Sequence, residues 1–342
     1  LPLRALDERA SYRLTNLDTA QHSTYTAKQL LAGVPVSLSD SPGSALLLYG
    51  MVLVFGFTGT THLAEINQAV AAVSRGDIPF GSYVLLLGVV LMVAGFGFKI
   101  SSVPFQMWVP DVYEGAPTPI AAYLSVASKA AGFAVLLRIF YTAFQGVSPD
   151  WAILFAALSA ASMIVGNIVA ITQSNIKRML AYSTIAHAGY ILAGLAAVAA
   201  RTPGGDTMGP SGILFYLGAY AATNLAAFFA IIAISNKTGS DNIEDFAGMG
   251  RRAPFLAIVL AFSMVSLIGM PPAAGFMAKL YIFTAAAKSG LVWLAVVGVV
   301  NSVVSAYYYL RVVRVMYMAP PTSEERVPSS GAFRLSVAVA SV

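Results

Sequence analysis

The 342-residue chain contains no cysteine, and only 10% of its residues are charged. The first absence excludes a disulfide scaffold and cysteine-built zinc or iron–sulfur centres. The second excludes a water-facing surface over most of the molecule, since soluble domains carry about 25% charged residues. Residues 1–42 also lack the order of basic stretch, apolar run and small-residue cleavage site that marks a signal peptide. Apolar residues are abundant: 58% of the chain is hydrophobic, and the mean hydropathy is +0.75. Several apolar runs reach the roughly 20 residues a bilayer requires, which places the chain among polytopic α-helical membrane proteins. The net charge of +5 arises from 20 Lys and Arg against 15 Asp and Glu. Beyond the first 42 residues most of these bases sit in short loops between apolar runs, a positive-inside pattern rather than a nucleic-acid patch. The expected surroundings are therefore the lipid bilayer, with no nucleic-acid partner.

Residues 1–42 form a polar lead-in carrying Arg4, Asp7, Glu8, Arg9, Arg13, Asp18 and Lys28, and read as extramembrane or poorly ordered. From Gly43 to residue 318 the apolar runs predict an all-α transmembrane bundle of about eight helices, near 43–60, 81–108, 118–143, 151–172, 179–200, 211–235, 254–286 and 290–318. Residues 319–342 read as a loop and a final run from Phe333, too short to cross a bilayer as a helix. Two of the runs are over-long and contain helix breakers, Pro104 in one and Pro271-Pro272 in the other. Proline removes a backbone donor and clashes with the preceding turn, so both predict broken helices. At membrane depth a break lines a wet cavity or is buried in protein, and the alternative is a plain packing kink. If the spans alternate, Lys177, Arg178, Lys237, Arg251, Arg252, Arg311, Arg314 and Arg326 share one side with the 109–117 loop. Arg75, Arg138, Arg201 and Lys288 take the other, so the first side is expected to be cytoplasmic.

All 15 carboxylates lie outside these runs, whereas Lys99, Lys129 and Lys279 lie inside them. Ionisable groups within a span mark function. Lys129 is about 11 and 14 residues from the ends of its run, roughly 16 Å of helix or more, which a lysine stem cannot reach across. It must face protein or water, and an ammonium so placed can release and regain a proton, as a relay requires. Lys99 precedes Pro104 by five residues, so snorkelling to the interface is an alternative for it. For Lys279 the alternative is a structural lysine donating to carbonyls freed at the break. His187, inside the 179–200 run, exchanges protons between its two ring nitrogens and joins this line, unless it is a hydrogen-bonded core histidine. No spacing matches a zinc site, a nucleophile triad or a phosphate-binding loop.

The stretches Phe98-Lys99-Ile100-Ser101-Ser102-Val103-Pro104-Phe105, Trp108-Val109-Pro110-Asp111-Val112-Tyr113-Glu114-Gly115-Ala116-Pro117-Thr118-Pro119 and Ser125-Val126-Ala127-Ser128-Lys129 resemble the antiporter-like membrane subunits of respiratory complex I. Ala181-Tyr182-Ser183 through Gly189-Tyr190, and Gly269-Met270-Pro271-Pro272-Ala273-Ala274-Gly275-Phe276 with Lys279, agree. Lysine at 129 and the wording around His187 favour the bacterial N type over its L and M relatives and over multi-subunit cation/proton antiporters.

The resemblance implies two inverted five-helix repeats, each with a broken helix, in a multi-pass protein of the bacterial plasma membrane. Lys99 is by resemblance the lysine of the first broken helix, Lys129 the connecting lysine, and Lys279 the lysine of the second. The implied role is proton translocation driven by quinone reduction in partner membrane subunits. NADH and quinone are then used by the parent complex, and no cofactor is expected in this chain. Against the family's pattern the first three or four helices and most of the last are missing, and Leu31 stands near the usual place of a glutamate. Position 106 holds glutamine where histidine is common. Two further readings remain: a secondary cation/proton antiporter subunit, and a structural remnant of the membrane arm that no longer pumps.

Overall fold

The computed structural model describes residues 11–15, 22–26, 42–74, 81–145, 148–199 and 208–321. Leu31, Arg75, Arg201, Arg326 and the run from Phe333 lie outside the described residues. Two strands, β1 (Ser11–Thr15) and β2 (His22–Thr26), pair antiparallel with Tyr12 opposite Tyr25, so the lead-in contains a hairpin that its polarity does not announce. Its Tyr and Thr residues are strand formers irrespective of charge.

The helices longer than two turns are α1 (Pro42–Thr58), α2 (Leu63–Ser74), α3 (Gly81–Ile100), α4 (Trp108–Gly115), α5 (Thr118–Thr142), α6 (Ser148–Ile171), α7 (Ile176–Ala199), α8 (Met208–Thr238), α9 (Pro254–Ile268), α10 (Ala274–Lys288) and α11 (Val292–Met318). Six of these are long and apolar enough to cross a membrane, and α1 with α2 makes a seventh as a pair bent by 65°. The expected crossing at 254–286 is divided between α9 and α10.

Two expected loops are helices. Residues 61–80 contain α2, which is too short to span a bilayer but buries Ile66 and Val70 one turn apart. The 109–117 loop is mostly α4, where Pro110 falls in the first turn and so removes no intrahelical donor.

The two breaks are built alike. α3 ends in left-handed Ser101 (φ 65°), and α9 in left-handed Gly269 (φ 87°). At the first, Ser102 N donates to Gly97 O and Ser101 N to Phe98 O. At the second, Met270 N donates to Val265 O and Gly269 N to Ser266 O. Both are Schellman caps, which satisfy carbonyls that a broken helix would otherwise leave bare in lipid. A cis X–Pro bond follows at the same interval in each, Val103–Pro104 and Pro271–Pro272.

α7 is the axis of the bundle. Its span is 94% buried, against 33–50% for the other five single-helix spans. Glycine permits the closest approach: a Cβ on Gly166 of α6 would lie 2.7 Å from Ala186 N of α7, and one on Gly189 of α7 would lie 2.8 Å from Met163 N of α6. Charge sidedness agrees with the loop pattern. Arg178 at the start of α7 pairs with Asp111 (2.7 Å) and Glu114 (2.6 Å) of α4. Lys177 pairs with Asp241 (2.8 Å), and Arg311 donates to Gln173 O (3.2 Å). At the far end of α7, Ser289 donates to Ala197 O (2.9 Å).

Candidate functional site

Lys129, His187 and Lys279 are 2%, 4% and 4% exposed, and α7 brings them together. A π turn at Leu124–Ser128 directly precedes Lys129. Such a turn takes in one extra residue and re-aims the side chains after it. It is stitched by Ser125 Oγ, which donates to Ala122 O (2.7 Å) and accepts from Asn224 Nδ2 (2.7 Å). The Lys129 ammonium then donates to the backbone carbonyl of Thr184 on α7. Thr184 Oγ1 lies 2.7 Å from the Tyr220 hydroxyl of α8.

One turn further along α7, His187 is held at both nitrogens. Nδ1 lies 2.7 Å from Tyr216 OH and Nε2 lies 3.3 Å from Tyr309 OH. Each hydroxyl both donates and accepts, so either histidine tautomer is satisfied without turning the ring. Tyr309 OH is also hydrogen-bonded to Ser183 Oγ. The Tyr220 ring covers the imidazole at 4.9 Å between centroids.

Lys279, on α10, reaches back to the break. Its Nζ donates to Leu267 O (3.1 Å) and Ile268 O (2.8 Å), the last carbonyls of α9, and lies 4.4 Å from the Tyr190 ring centre. A structural lysine would adopt this geometry, and a buried, protonatable amine at a helix break serves a relay as well. Beneath Tyr190 is an amide cluster. Asn167 Nδ2 donates to Tyr190 OH (3.1 Å) and Asn301 Oδ1 (3.3 Å), while Asn167 Oδ1 accepts from Tyr308 OH (2.9 Å).

Lys99 stands apart from this network. Its side chain is exposed in the last turn of α3, with its stem facing Gly132 of α5, one turn beyond Lys129. Gln106, in the first break, has a buried Oε1 without a hydrogen-bond partner among the described residues. Also among the described residues, no group of three or more His, Asp or Glu side chains converges. The sequence reading missed Tyr190, Tyr216, Tyr220, Tyr308, Tyr309, Asn167 and Thr184. The one signal for them was polar residues inside apolar runs, which is common enough in membrane helices to be overlooked.

Two capped and broken helices, with a lysine–histidine–lysine line through the central helix, define an antiporter-like multi-pass membrane protein. Comparison with known proteins agrees. The chain belongs to the family described as NADH:quinone oxidoreductase/Mrp antiporter, transmembrane, whose profile matches residues 15–305, beginning inside the polar lead-in. It is similar to NADH-quinone oxidoreductase subunit N of Dehalococcoides mccartyi, 46% identical over 335 residues that cover 96% of this chain and 67% of that protein. The subunit N of Desulforamulus reducens is 45% identical over 319 residues, covering 93% and 64%. Among solved structures, respiratory complex I from Thermus thermophilus matches with a TM-score of 0.70 and 32% identity, over 87% of this chain and 62% of the matched one. The Mrp complex of a Dietzia species matches with a TM-score of 0.73 and 26% identity, over 83% and 50%. The chain thus spans about two thirds or less of the length of these relatives.

Proposed function

We propose that this chain is a proton-translocating membrane-arm subunit of an NADH:quinone oxidoreductase, working beside other membrane subunits of that complex. Protons move along the line Lys129, His187 and Lys279, driven by quinone reduction in partner subunits that hold the NADH and quinone chemistry. The observation that carries this reading is the position of α7, which contacts both buried lysines and holds a doubly hydrogen-bonded histidine between them. Its support from the relatives is their naming as subunit N.

In this reading each lysine stores a proton in a water-poor site, and His187 passes it by accepting at one nitrogen and donating at the other. Lys99 stands apart from this line and is assigned to the proposed relay by the family resemblance alone. It is exposed in the last turn of α3, with its stem against Gly132, one turn beyond Lys129 on α5.

The test is Lys129→Met in the assembled complex, with proton pumping in membrane vesicles, quinone reduction and a native gel recorded together. Assembly with reduced pumping is the expected result. Unchanged pumping and turnover would make the lysine structural and the chain a scaffold of the membrane arm.

A further inference from the structure

Lys279 is held on three sides, and only two of them are accounted for by the break. An ammonium has three donors. Leu267 O and Ile268 O take two, at 3.1 and 2.8 Å, and the face of Tyr190, 4.4 Å from Nζ to the ring centre, takes the third. The ring is not free to move away. It is 1% exposed, its hydroxyl accepts from Asn167, and it meets the rings of His187 at 5.6 Å and Phe283 at 6.0 Å.

Tyr190 also follows His187 by one turn of α7, while Thr184, the acceptor for Lys129, precedes His187 by one turn. One face of one helix therefore touches both lysines and carries the histidine between them.

We propose that Tyr190 is a positioning residue for Lys279: the negative face of its ring seats the lysine ammonium against the last carbonyls of α9, in register with His187. A ring face attracts a cation through its quadrupole, and more strongly where water is scarce. The seat is thus matched to the charged lysine and indifferent to a neutral one. Since α7 carries both the ring and the histidine, a shift of that helix loosens the lysine and moves the imidazole in one step. The seat rests on the relay reading of Lys279.

The experiment replaces Tyr190 with phenylalanine and then with mono-, di- and trifluorinated phenylalanine, in the assembled complex. Fluorine withdraws electron density from the ring face while nearly preserving its shape, so a purely structural ring would not respond. Phenylalanine serves as the reference of the series, because Asn167 Nδ2 retains Met163 O and Asn301 Oδ1 as acceptors when the hydroxyl is lost.

Pumping in vesicles is expected to fall stepwise along the series, by a total of about two- to thirtyfold, with assembly on a native gel unchanged. In a Lys279→Met background the same series is expected to be flat. A flat series with Lys279 present overturns the seat. If Lys279→Met lowers pumping while the series is flat, the relay survives and only the seat fails. If Lys279→Met pumps like the parent, the relay reading itself fails.

Discussion

The Lys177 ammonium lies 2.8 Å from the Asp241 carboxylate, tying the first turn of α7 to the segment ahead of α9. Both groups are largely shielded, at 7% and 24% side-chain exposure, and Lys177 also donates to Ala116 O (3.2 Å). Its neighbour Arg178 pairs instead with Asp111 and Glu114, whose side chains are 72% and 43% exposed. Breaking a shielded pair strands a charge, at a cost of about 3 kcal/mol. An exposed pair is worth less than about 1 kcal/mol. Thermal unfolding in detergent should therefore show Lys177→Met strongly destabilised and Arg178→Gln nearly unchanged. Equal effects would contradict this ordering.

The α6–α7 contact sets a second expectation. Gly166→Ala pushes a methyl group to within 2.7 Å of Ala186 N and 2.9 Å of Tyr182 O. Backbone cannot move aside as a side-chain tip does, so about 1–3 kcal/mol of stability is lost. Gly218 of α8, where an added Cβ would meet no atom within 4 Å, responds with the opposite sign. Gly218→Ala gains about 0.5–1 kcal/mol from helix propensity, as detergent melting curves should show.

The paired caps make a third. Ser101 occupies a left-handed conformation at a cost glycine does not bear, so Ser101→Gly is expected to be neutral or stabilising by up to about 1 kcal/mol. Gly269→Ala faces that backbone cost and also a clash, its Cβ falling 2.8 Å from Lys279 Cδ. It should therefore lower pumping as well as stability, whereas Ser101→Gly alters neither adversely. Vesicle pumping and a melting curve on the same preparations separate the two.

A fourth concerns the amide cluster. Asn167→Leu removes the acceptor of the buried Tyr308 hydroxyl and the donor to both Asn301 and the Tyr190 hydroxyl. Each stranded buried polar group costs about 1–3 kcal/mol. A destabilisation of several kcal/mol, toward the sum for these three groups, is expected in urea or thermal unfolding, and a loss below about 1 kcal/mol would mean that the cluster is satisfied in another way.

Much of this architecture was legible in local sequence. Pro104 and Pro272 announced the breaks, and the basic residues Lys177, Arg178 and Arg311 announced one charged side, where the structure joins them to Asp111, Glu114, Asp241 and Gln173 O. The depth of Lys129 in its run foretold its burial. Other parts were hidden. α2 is amphipathic but too short to stand out against spanning runs, and the first hairpin lies in a stretch whose charge suggested no structure. Lys99 and Lys279 look alike in sequence, each next to a proline break, yet one is exposed and the other 4% exposed.

The division has a physical basis. Which solvent the chain occupies, where it crosses and where its helices break follow from segment hydropathy and from whether each residue can donate in an i to i−4 ladder, properties of neighbours along the chain. The site is assembled from helices α5 to α11, and most pairings in it join residues far apart in the chain, as Lys129 with Thr184 or His187 with Tyr309. Only packing around the buried α7 selects which of many polar side chains meet, because each must find a partner where water is absent.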